Sequence, residues 1–346
     1  MKAGNWVRMA FPSIIVIGAS AGGVTALRSL AAGLTTPLPT PILVVLHVGA
    51  HSSELPFLLN AAGVTPAKHG EDGEAIQPGQ IYVAPPDRHM IVVDGHIRLT
   101  RGPKENWARP AIDPLFRSAA EEFGPAAIGV ILTGNLNDGS AGLYEIKRRG
   151  GIAIAQDPDD AAHPDMPGSA AAHVDLDFCL PLAEIPGLLA RLVNEEEGDV
   201  TASPKKQAAE NGGNLSDGKV FDRPITITCP DCGGALRRAE IGTMVKYACH
   251  IGHTYTAEAM AAAQFEDMEK VMRSAERILN ERAEFCRQMA ERAGAPANAA
   301  GDEIWRAASR EALERAYTLR DFIEQDWISP PVAVLGARSK SHAPDA

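Results

Sequence analysis

The sequence predicts an α/β protein with a doubly wound, mostly parallel sheet, followed by a small Cys/His-rich module and a helical hairpin. Short apolar runs rich in β-branched residues alternate with helical patterns over residues 12–193, which is typical of repeated β-α-β units. Cysteines and histidines then recur at close spacing. Beyond residue 257, apolar residues recur at three- and four-residue steps, the pattern of amphipathic helices.

The first strand and the helix after it carry a candidate site. The run from Ile14 to Val24 reads as a buried strand that enters a glycine-rich turn holding Ser20, and helical spacing follows. Such a turn either binds a dinucleotide pyrophosphate or presents a serine nucleophile. A dinucleotide site needs a carboxylate at the end of the second strand, but the apolar run 42–46 ends at His47. Because His47 suits proton abstraction from Ser20, the pattern favours a nucleophilic serine.

A third strand supplies a carboxylate. Residues 126–132 form an apolar run that opens into a glycine-punctuated loop containing Asp138. Parallel strands gather their carboxyl-end loops at one edge, so we expect Ser20 to attack, His47 to take its proton and Asp138 to orient the imidazole. Taken singly, each residue has a structural alternative: Ser20 as a helix cap, His47 as a hydrogen-bonded structural residue, and Asp138 as half of an Asp-Gly turn. The chain order Ser, His, Asp differs from that of the α/β-hydrolases and of the chymotrypsin and subtilisin types.

The remaining elements of this region follow in order. After His47 we expect a short helix at residues 53–62, then a hairpin-like pair formed by residues 80–83 and 90–100, the latter turned at Asp94-Gly95. The patterns then predict helices at residues 112–123 and 141–149, a strand at residues 151–156 and a closing helix at residues 182–193.

Five motifs occur in one order within residues 12–193: Gly18-Ala-Ser-Ala-Gly-Gly23, Tyr82-Val-Ala-Pro-Pro-Asp87, Arg109-Pro-Ala-Ile-Asp113, Leu132-Thr-Gly-Asn-Leu-Asn-Asp-Gly139, and Ala155-Gln-Asp-Pro158 with Met166-Pro167. Together they resemble the catalytic domain of the chemotaxis protein-glutamate methylesterase family, CheB. The resemblance implies that Ser20, His47 and Asp138 are the catalytic triad. It also implies hydrolysis of glutamate methyl esters on methylated chemoreceptors, with release of methanol, and deamidation of receptor glutamines as a second activity.

The chain departs from the family pattern at three points. The family loop usually reads Thr-Gly-Met-Gly, where this chain has Asn135 and Leu136, and Ala21 stands where the family usually has threonine. CheB proteins typically begin with a receiver domain, whereas this chain reaches its catalytic strand by Ile14, so we expect a stand-alone form without phosphorylation control in cis. The loop changes motivate an alternative function, a catalytically weak regulatory module that recruits a partner through its C-terminal part.

A polar stretch separates this region from a candidate metal site. Residues 194–220 contain hardly an apolar anchor and are predicted to be a flexible linker. Within residues 221–256, Cys229 and Cys232 form one half of a zinc knuckle and Cys249 with His253 the other, with His250 as the alternative fourth ligand. Four such ligands predict a closed structural zinc site in a zinc-ribbon-like module, with a redox C-x-x-C pair as the alternative.

The C-terminal part and the composition complete the expectations. Residues 257–328 carry two apolar stripes that are expected to bury each other as a helical hairpin, with self-association as the alternative, and residues 329–346 are expected to form a tail. Among 346 residues, the formal charge of −11 disfavours generic nucleic-acid binding. There is no apolar run long enough for membrane insertion, no secretory signal is evident, and five cysteines, an odd count, suit the cytoplasm. The expected partners are methylated chemoreceptors and a signalling partner at the C-terminal part.

Overall fold

The computed structural model describes residues 13–47, 53–195, 227–293, 299–325 and 327. The chain divides into two compact units, one reaching Met260 and the other spanning Ala261 to Pro331, and each is described by itself. The predicted tail, 329–346, lies outside the described residues, as does the predicted linker except for residues 194 and 195, which end a helix.

A seven-stranded sheet forms the centre of the first unit. Its strands and the elements around them are β1 (Ile14–Ala19), α1 (Gly23–Gly33), β2 (Ile42–Leu46), α2 (Leu55–Ala62), β3 (Ala67–His69), β4 (Ile81–Val83), β5 (His89–Val93), β6 (His96–Thr100), α3 (Ile112–Phe123), β7 (Ala127–Ile131), α4 (Ser140–Arg148), β8 (Ile152–Gln156), α5 (Asp165–His173), β9 (Phe178–Leu180) and α6 (Ile185–Glu195). The order of the strands in the sheet is β3-β4-β2-β1-β7-β8-β9, and each neighbouring pair is parallel, which confirms the predicted α/β fold class.

Helices cover both faces of this sheet, so its central strands are apolar at every position. Strands β1, β2 and β7 are buried along their whole length. One face packs on α1, α2 and α6, with Leu27, Leu59 and Leu189 in its core. The other packs on α3, α4 and α5, with Phe116 and Leu143 in its core. Burial on both sides explains why these strands read as continuous apolar runs.

The structure corrects the prediction in several places. Residues 80–83 do not form a hairpin with residues 90–100, because β4 lies in the main sheet, parallel to β2 and β3. The hairpin is formed by β5 and β6 alone, with Asp94-Gly95 at its turn. Helix α5 and the three-residue strands β3 and β9 were not predicted. A strand of three residues is too short to show an alternating pattern.

The Cys/His-rich module forms a three-stranded antiparallel sheet of β10 (Leu236–Ile241), β11 (Met244–Cys249) and β12 (Thr254–Thr256). We call residues 227–256 the ribbon. It belongs to the same compact unit as the main sheet, and a parallel bridge joins Glu105 to Thr254. The ribbon therefore packs directly on the domain that carries the candidate triad.

The second unit contains two helices, α7 (Ala257–Ala293), which begins in the first unit, and α8 (Ala299–Ile323). Small side chains are buried on both helices, and Ser309 Oγ donates to the Ala283 carbonyl at 2.8 Å. Arg320 Nε also donates to Glu276 Oε1 at 2.7 Å. The two helices therefore pack on each other. Every helix of the described residues is too short or too polar to cross a membrane.

Candidate active site

The three predicted triad residues lie at the carboxyl ends of three adjacent strands. Strand β1 pairs with β2 on one side and β7 on the other, so successive strands are added in one direction up to this point and in the opposite direction after it. Open α/β sheets carry their sites at such a switch point. The His47 N–H donates to the Ala19 carbonyl at 3.1 Å, and the Ser20 N–H donates to the Thr133 carbonyl at 3.0 Å. The register of the sheet therefore sets the loops of Ser20, His47 and Asp138 side by side.

The imidazole of His47 is bound to the carboxylate of Asp138. His47 Nε2 lies 2.8 Å from Asp138 Oδ2, and Asp138 is only 2% exposed. The same oxygen accepts the Ile112 N–H at 2.6 Å, while Oδ1 accepts from Asn106 Nδ2 at 2.7 Å and from the Asp113 N–H at 3.3 Å. Four donors thus surround a buried carboxylate and hold its orientation.

These contacts decide the charge of Asp138. Burial alone would raise the pKa of Asp138, but the hydrogen bonds from His47, Ile112 and Asn106 outweigh it and hold that pKa below its usual range. The carboxylate is therefore ionised at neutral pH, which is the state that stabilises a charged imidazole.

Ser20 occupies the turn between β1 and α1. Within the described residues, no hydrogen bond joins its hydroxyl to His47. Gly22, which precedes the helix, has a φ of 75°, in the left-handed region that favours glycine. In the described part of the chain, the N–H groups of Ala21 and Gly22 donate to no carbonyl. Two unused donors at a helix N-terminus beside a serine are suited to stabilising an oxyanion.

The loop after β7 closes over this turn. A Cβ added to Gly134 would lie 2.8 Å from Ser20 Cβ, so only glycine fits there. Thr133 Oγ1 donates to the Ala21 carbonyl at 3.0 Å and accepts the His163 N–H at 2.8 Å. Leu136 has a φ of 62°, at the position where the family usually has glycine. A left-handed leucine is strained, so the sequence change places a side chain where the backbone conformation favours glycine.

Sequence reasoning missed the residue that connects Asp138 to the rest of the protein. Asn106 is 5% exposed, and its Nδ2 donates to Asp113 Oδ2 at 3.0 Å as well as to Asp138. It lies in an irregular loop with a φ of 47°. A single polar residue in a loop has no periodicity, so no pattern in the sequence marks it.

The four predicted metal ligands also meet. The ligand atoms of Cys229, Cys232, Cys249 and His253 lie within 4.8 Å of one another, and this group can hold a metal ion. His253 Nδ1 lies 3.6 Å from Cys229 Sγ and 3.5 Å from Cys249 Sγ, and the sulfurs of Cys232 and Cys249 are 3.6 Å apart. Tetrahedral zinc, with Zn–S of about 2.3 Å and Zn–N of about 2.0–2.1 Å, requires edges of about 3.5–3.8 Å. Three of the six distances between these ligand atoms have these dimensions, two of them to His253, and the side chain of His250 is not part of the group.

Hydrogen-bonding groups surround the sulfur atoms of Cys249 and Cys229. Burial alone would raise the pKa of Cys249, but the N–H groups of His253, Ile251 and Gly252, together with the Cys232 thiol, outweigh it and hold that pKa below its usual range. The Tyr255 hydroxyl donates to Asp231 Oδ2 at 2.6 Å and lies 3.5 Å from Cys229 Sγ. The N–H groups directed at Cys249 Sγ stabilise the thiolate form that binds metal.

Comparisons with known proteins agree on one family. The CheB methylesterase family model matches residues 15–189. A relative from Leptospira interrogans is 41% identical over 180 residues, which cover 51% of this chain and 93% of the relative. One from Myxococcus xanthus is 38% identical and is covered over 53% of its own length. Both carry protein-glutamate methylesterase/protein-glutamine glutaminase in their names.

A solved structure agrees with these sequence matches. The crystal structure of the Thermotoga maritima CheB methylesterase catalytic domain superposes with a TM-score of 0.50 at 35% identity, and the match covers 52% of this chain and 98% of that one. The ribbon lies beyond the residues that the family model matches. With half of its length matched by the family model and its parallel sheet shared with a solved catalytic domain, the chain belongs to the CheB methylesterase family of carboxylic ester hydrolases.

Proposed function

We propose that the protein is a protein-glutamate methylesterase that hydrolyses glutamate methyl esters on chemoreceptors, with glutamine deamidation as a second activity. One observation carries the proposal: His47 is held by a buried, ionised Asp138 at the strand end adjacent to Ser20. Membership of the CheB family and the names of the relatives supply the substrate class.

The proposed reaction begins at Ser20. Its Oγ attacks the ester carbonyl, and His47 takes the proton at Nδ1, because its Nε2 is held by Asp138. The N–H groups of Ala21 and Gly22 stabilise the oxyanion. Methanol leaves with the proton from His47, and a water molecule activated by the same imidazole hydrolyses the acyl-enzyme to glutamate. With a glutamine substrate the leaving group is ammonia.

Methanol release from a methylated chemoreceptor tests this function. We expect Ser20→Ala to abolish release, because it removes the nucleophile without enlarging a buried side chain. Ser29→Ala is the matched control, since Ser29 is exposed on α1 and lies outside the site. A Ser20→Ala protein that releases methanol at the wild-type rate would refute the triad.

A regulatory binding module is the second candidate function. The observation that favours it is Leu136, a non-glycine residue at a φ of 62° in the loop that contacts the Ser20 turn. A displaced oxyanion donor costs about a hundredfold or more in rate. Wild-type methanol release no greater than that of Ser20→Ala, together with undiminished binding to the receptor, would favour this candidate.

We further propose that the ribbon binds one structural zinc ion through Cys229, Cys232, Cys249 and His253. Three of the distances between these ligand atoms equal the edges of a zinc tetrahedron, and the four side chains would fill all four positions. Zinc-bound thiolates require a reducing compartment, so a cytoplasmic location belongs to the same proposal. Metal analysis of protein purified under reducing conditions should give about one zinc per chain. A content far below this would contradict the site.

A further inference from the structure

The ribbon is connected to the catalytic carboxylate by an unbroken set of buried hydrogen bonds. We propose that the ribbon is a working part of the esterase, in which β12 and Lys246 position Asp138 through Asn106, Asn137 and Asp113, so that metal loading of the ribbon sets the rate of ester hydrolysis. This inference rests on the proposed function and deepens it.

The first connection runs through Asn106. Its side chain donates to Asp138 Oδ1 at 2.7 Å, and its own Oδ1 accepts the Thr256 N–H at 3.1 Å. Its backbone N–H donates to the Thr254 carbonyl at 2.7 Å. Glu105 holds the same loop on α3 through two hydrogen bonds from Arg117, at 2.7 and 2.9 Å. Both ends of β12 therefore determine where the Asn106 amide lies.

The second connection runs through the residue before Asp138. Asn137 is 2% exposed, and its Oδ1 accepts the Thr256 hydroxyl proton at 2.7 Å. Its Nδ2 donates to Glu258 Oε2 at 2.5 Å. The Thr256 hydroxyl also accepts the Ala259 N–H at 3.2 Å, at the start of α7. The backbone that carries Asp138 is thus held by side chains from the end of the ribbon and the first turn of α7.

The third connection is an ion pair beneath the site. Lys246, from the centre of β11, is fully buried, and its Nζ lies 2.5 Å from Asp113 Oδ2. Asp113 shares the Asn106 amide with Asp138, and its Oδ1 accepts the Gly142 N–H at 2.7 Å. The lysine supplies the positive charge next to the buried Asp113 carboxylate, so its removal leaves that charge uncompensated.

The metal ligands control the position of this contact surface. Cys249 is the last residue of β11, and His253 immediately precedes β12. The Cys249 N–H donates to the His253 carbonyl at 3.1 Å. A metal bound to Cys249 and His253 therefore fixes the turn that sets β12 against β11, and with it the hydrogen bonds to Asn106 and Asn137. A buried hydrogen-bond network that loses some of its partners is destabilised by more than the sum of the lost bonds. Loosening of β12 therefore shifts the Asp138 carboxylate away from His47.

Thr256→Val tests the positioning role. It removes the hydroxyl bound to Asn137 and keeps the shape of the side chain and the backbone bond to Asn106. We expect kcat to fall about tenfold with KM unchanged, because misplacement of a catalytic group slows the chemical step. The labelling of Ser20 by a serine-directed organophosphonate should slow in proportion, and Thr256→Ser should restore both rates.

Thr243→Val is the matched control. Its hydroxyl lies 2.8 Å from His173 Nδ1, so it removes a contact between the ribbon and the catalytic domain that does not lead to Asp138. We expect its rates to equal those of the wild type. Equal rates in Thr256→Val and Thr243→Val would overturn the inference.

Metal removal gives a readout independent of activity. In the full-length protein, chelation of zinc should speed hydrogen exchange at the Asn106 amide, which donates to Thr254, while the amides of β1 stay protected. The proton between His47 and Asp138 should lose its downfield resonance at the same time, and zinc should restore both signals. Unchanged exchange at Asn106 after metal removal would refute the coupling.

The outcomes separate the two proposals. If methanol release is equal in the wild type and Ser20→Ala, the proposed function fails, and the exchange measurement still decides whether metal orders the contacts around Asp138. If Ser20→Ala is inactive and Thr256→Val retains full rate, only the ribbon inference fails.

Discussion

Replacing Lys246 with methionine should strongly destabilise the first unit. The substitution keeps an unbranched chain of similar length in a fully buried position but removes the ammonium group that lies 2.5 Å from Asp113. Asp113 is then left buried and charged, and among the described residues it keeps hydrogen bonds from Asn106 and the Gly142 N–H.

The structure gives the size of this effect. Removing one partner of a buried ion pair costs about 3–5 kcal/mol, because the remaining charge has lost its counterion and cannot reach water. Two hydrogen bonds remain on Asp113, so we expect a value near the lower end, about 3 kcal/mol.

Urea unfolding followed by circular dichroism at neutral pH measures this difference. Lys68→Met is the matched control, since Lys68 is 40% exposed and pairs with Glu74 at 2.6 Å on the surface. Exposed pairs of this kind contribute at most about 1 kcal/mol. The reasoning fails if the free energy of unfolding at neutral pH is reduced equally in Lys246→Met and Lys68→Met.

Three further outcomes are expected. Asp138→Asn should lower kcat by roughly 10³–10⁴-fold, because the neutral side chain cannot stabilise the charged imidazole; methanol release measures it. The pKa of Asp138 is lower in the folded protein than in the unfolded chain, so its ionised form stabilises the fold. This stabilisation is present above about pH 4 and is lost as the pH falls through the folded pKa. Acid unfolding should therefore be steeper in the wild type than in Asp138→Asn. Leu136→Gly should be about 1 kcal/mol more stable than Leu136→Ala in thermal unfolding, because only glycine adopts a φ of 62° without strain. An alanine variant more stable than the glycine variant would contradict the strained loop.

Much of the catalytic region could be predicted because its signals are local. Strands β1, β2 and β7 are buried on both faces, so their apolar runs are visible without any knowledge of their neighbours. The turns that follow them carry Ser20, His47 and Asp138, and parallel pairing brings such turns to one edge. The structure places His47 on Asp138 as that reasoning expects, while the catalytic roles of the three residues remain a proposal.

Other features had no local signal. Strand β4 looks like part of a hairpin because it is short and precedes one, and only its pairing with β2 and β3 shows otherwise. Lys246 lies on the same buried face of β11 as Met244. A charged side chain would ordinarily lie on the face of the strand that is exposed to solvent. Its burial depends on Asp113, which is 133 residues away in the chain.

By itself, the sequence determined the parallel sheet, the residues at its carboxyl edge and the spacing of the four predicted metal ligands, since each follows from the periodicity or spacing of neighbouring residues. Only the tertiary structure decided that the ribbon packs against the catalytic domain and reaches Asp138 through Asn106 and Asn137. The physical reason is that hydrogen bonds between loops distant in sequence depend on the direction of single polar side chains, which no repeating pattern records.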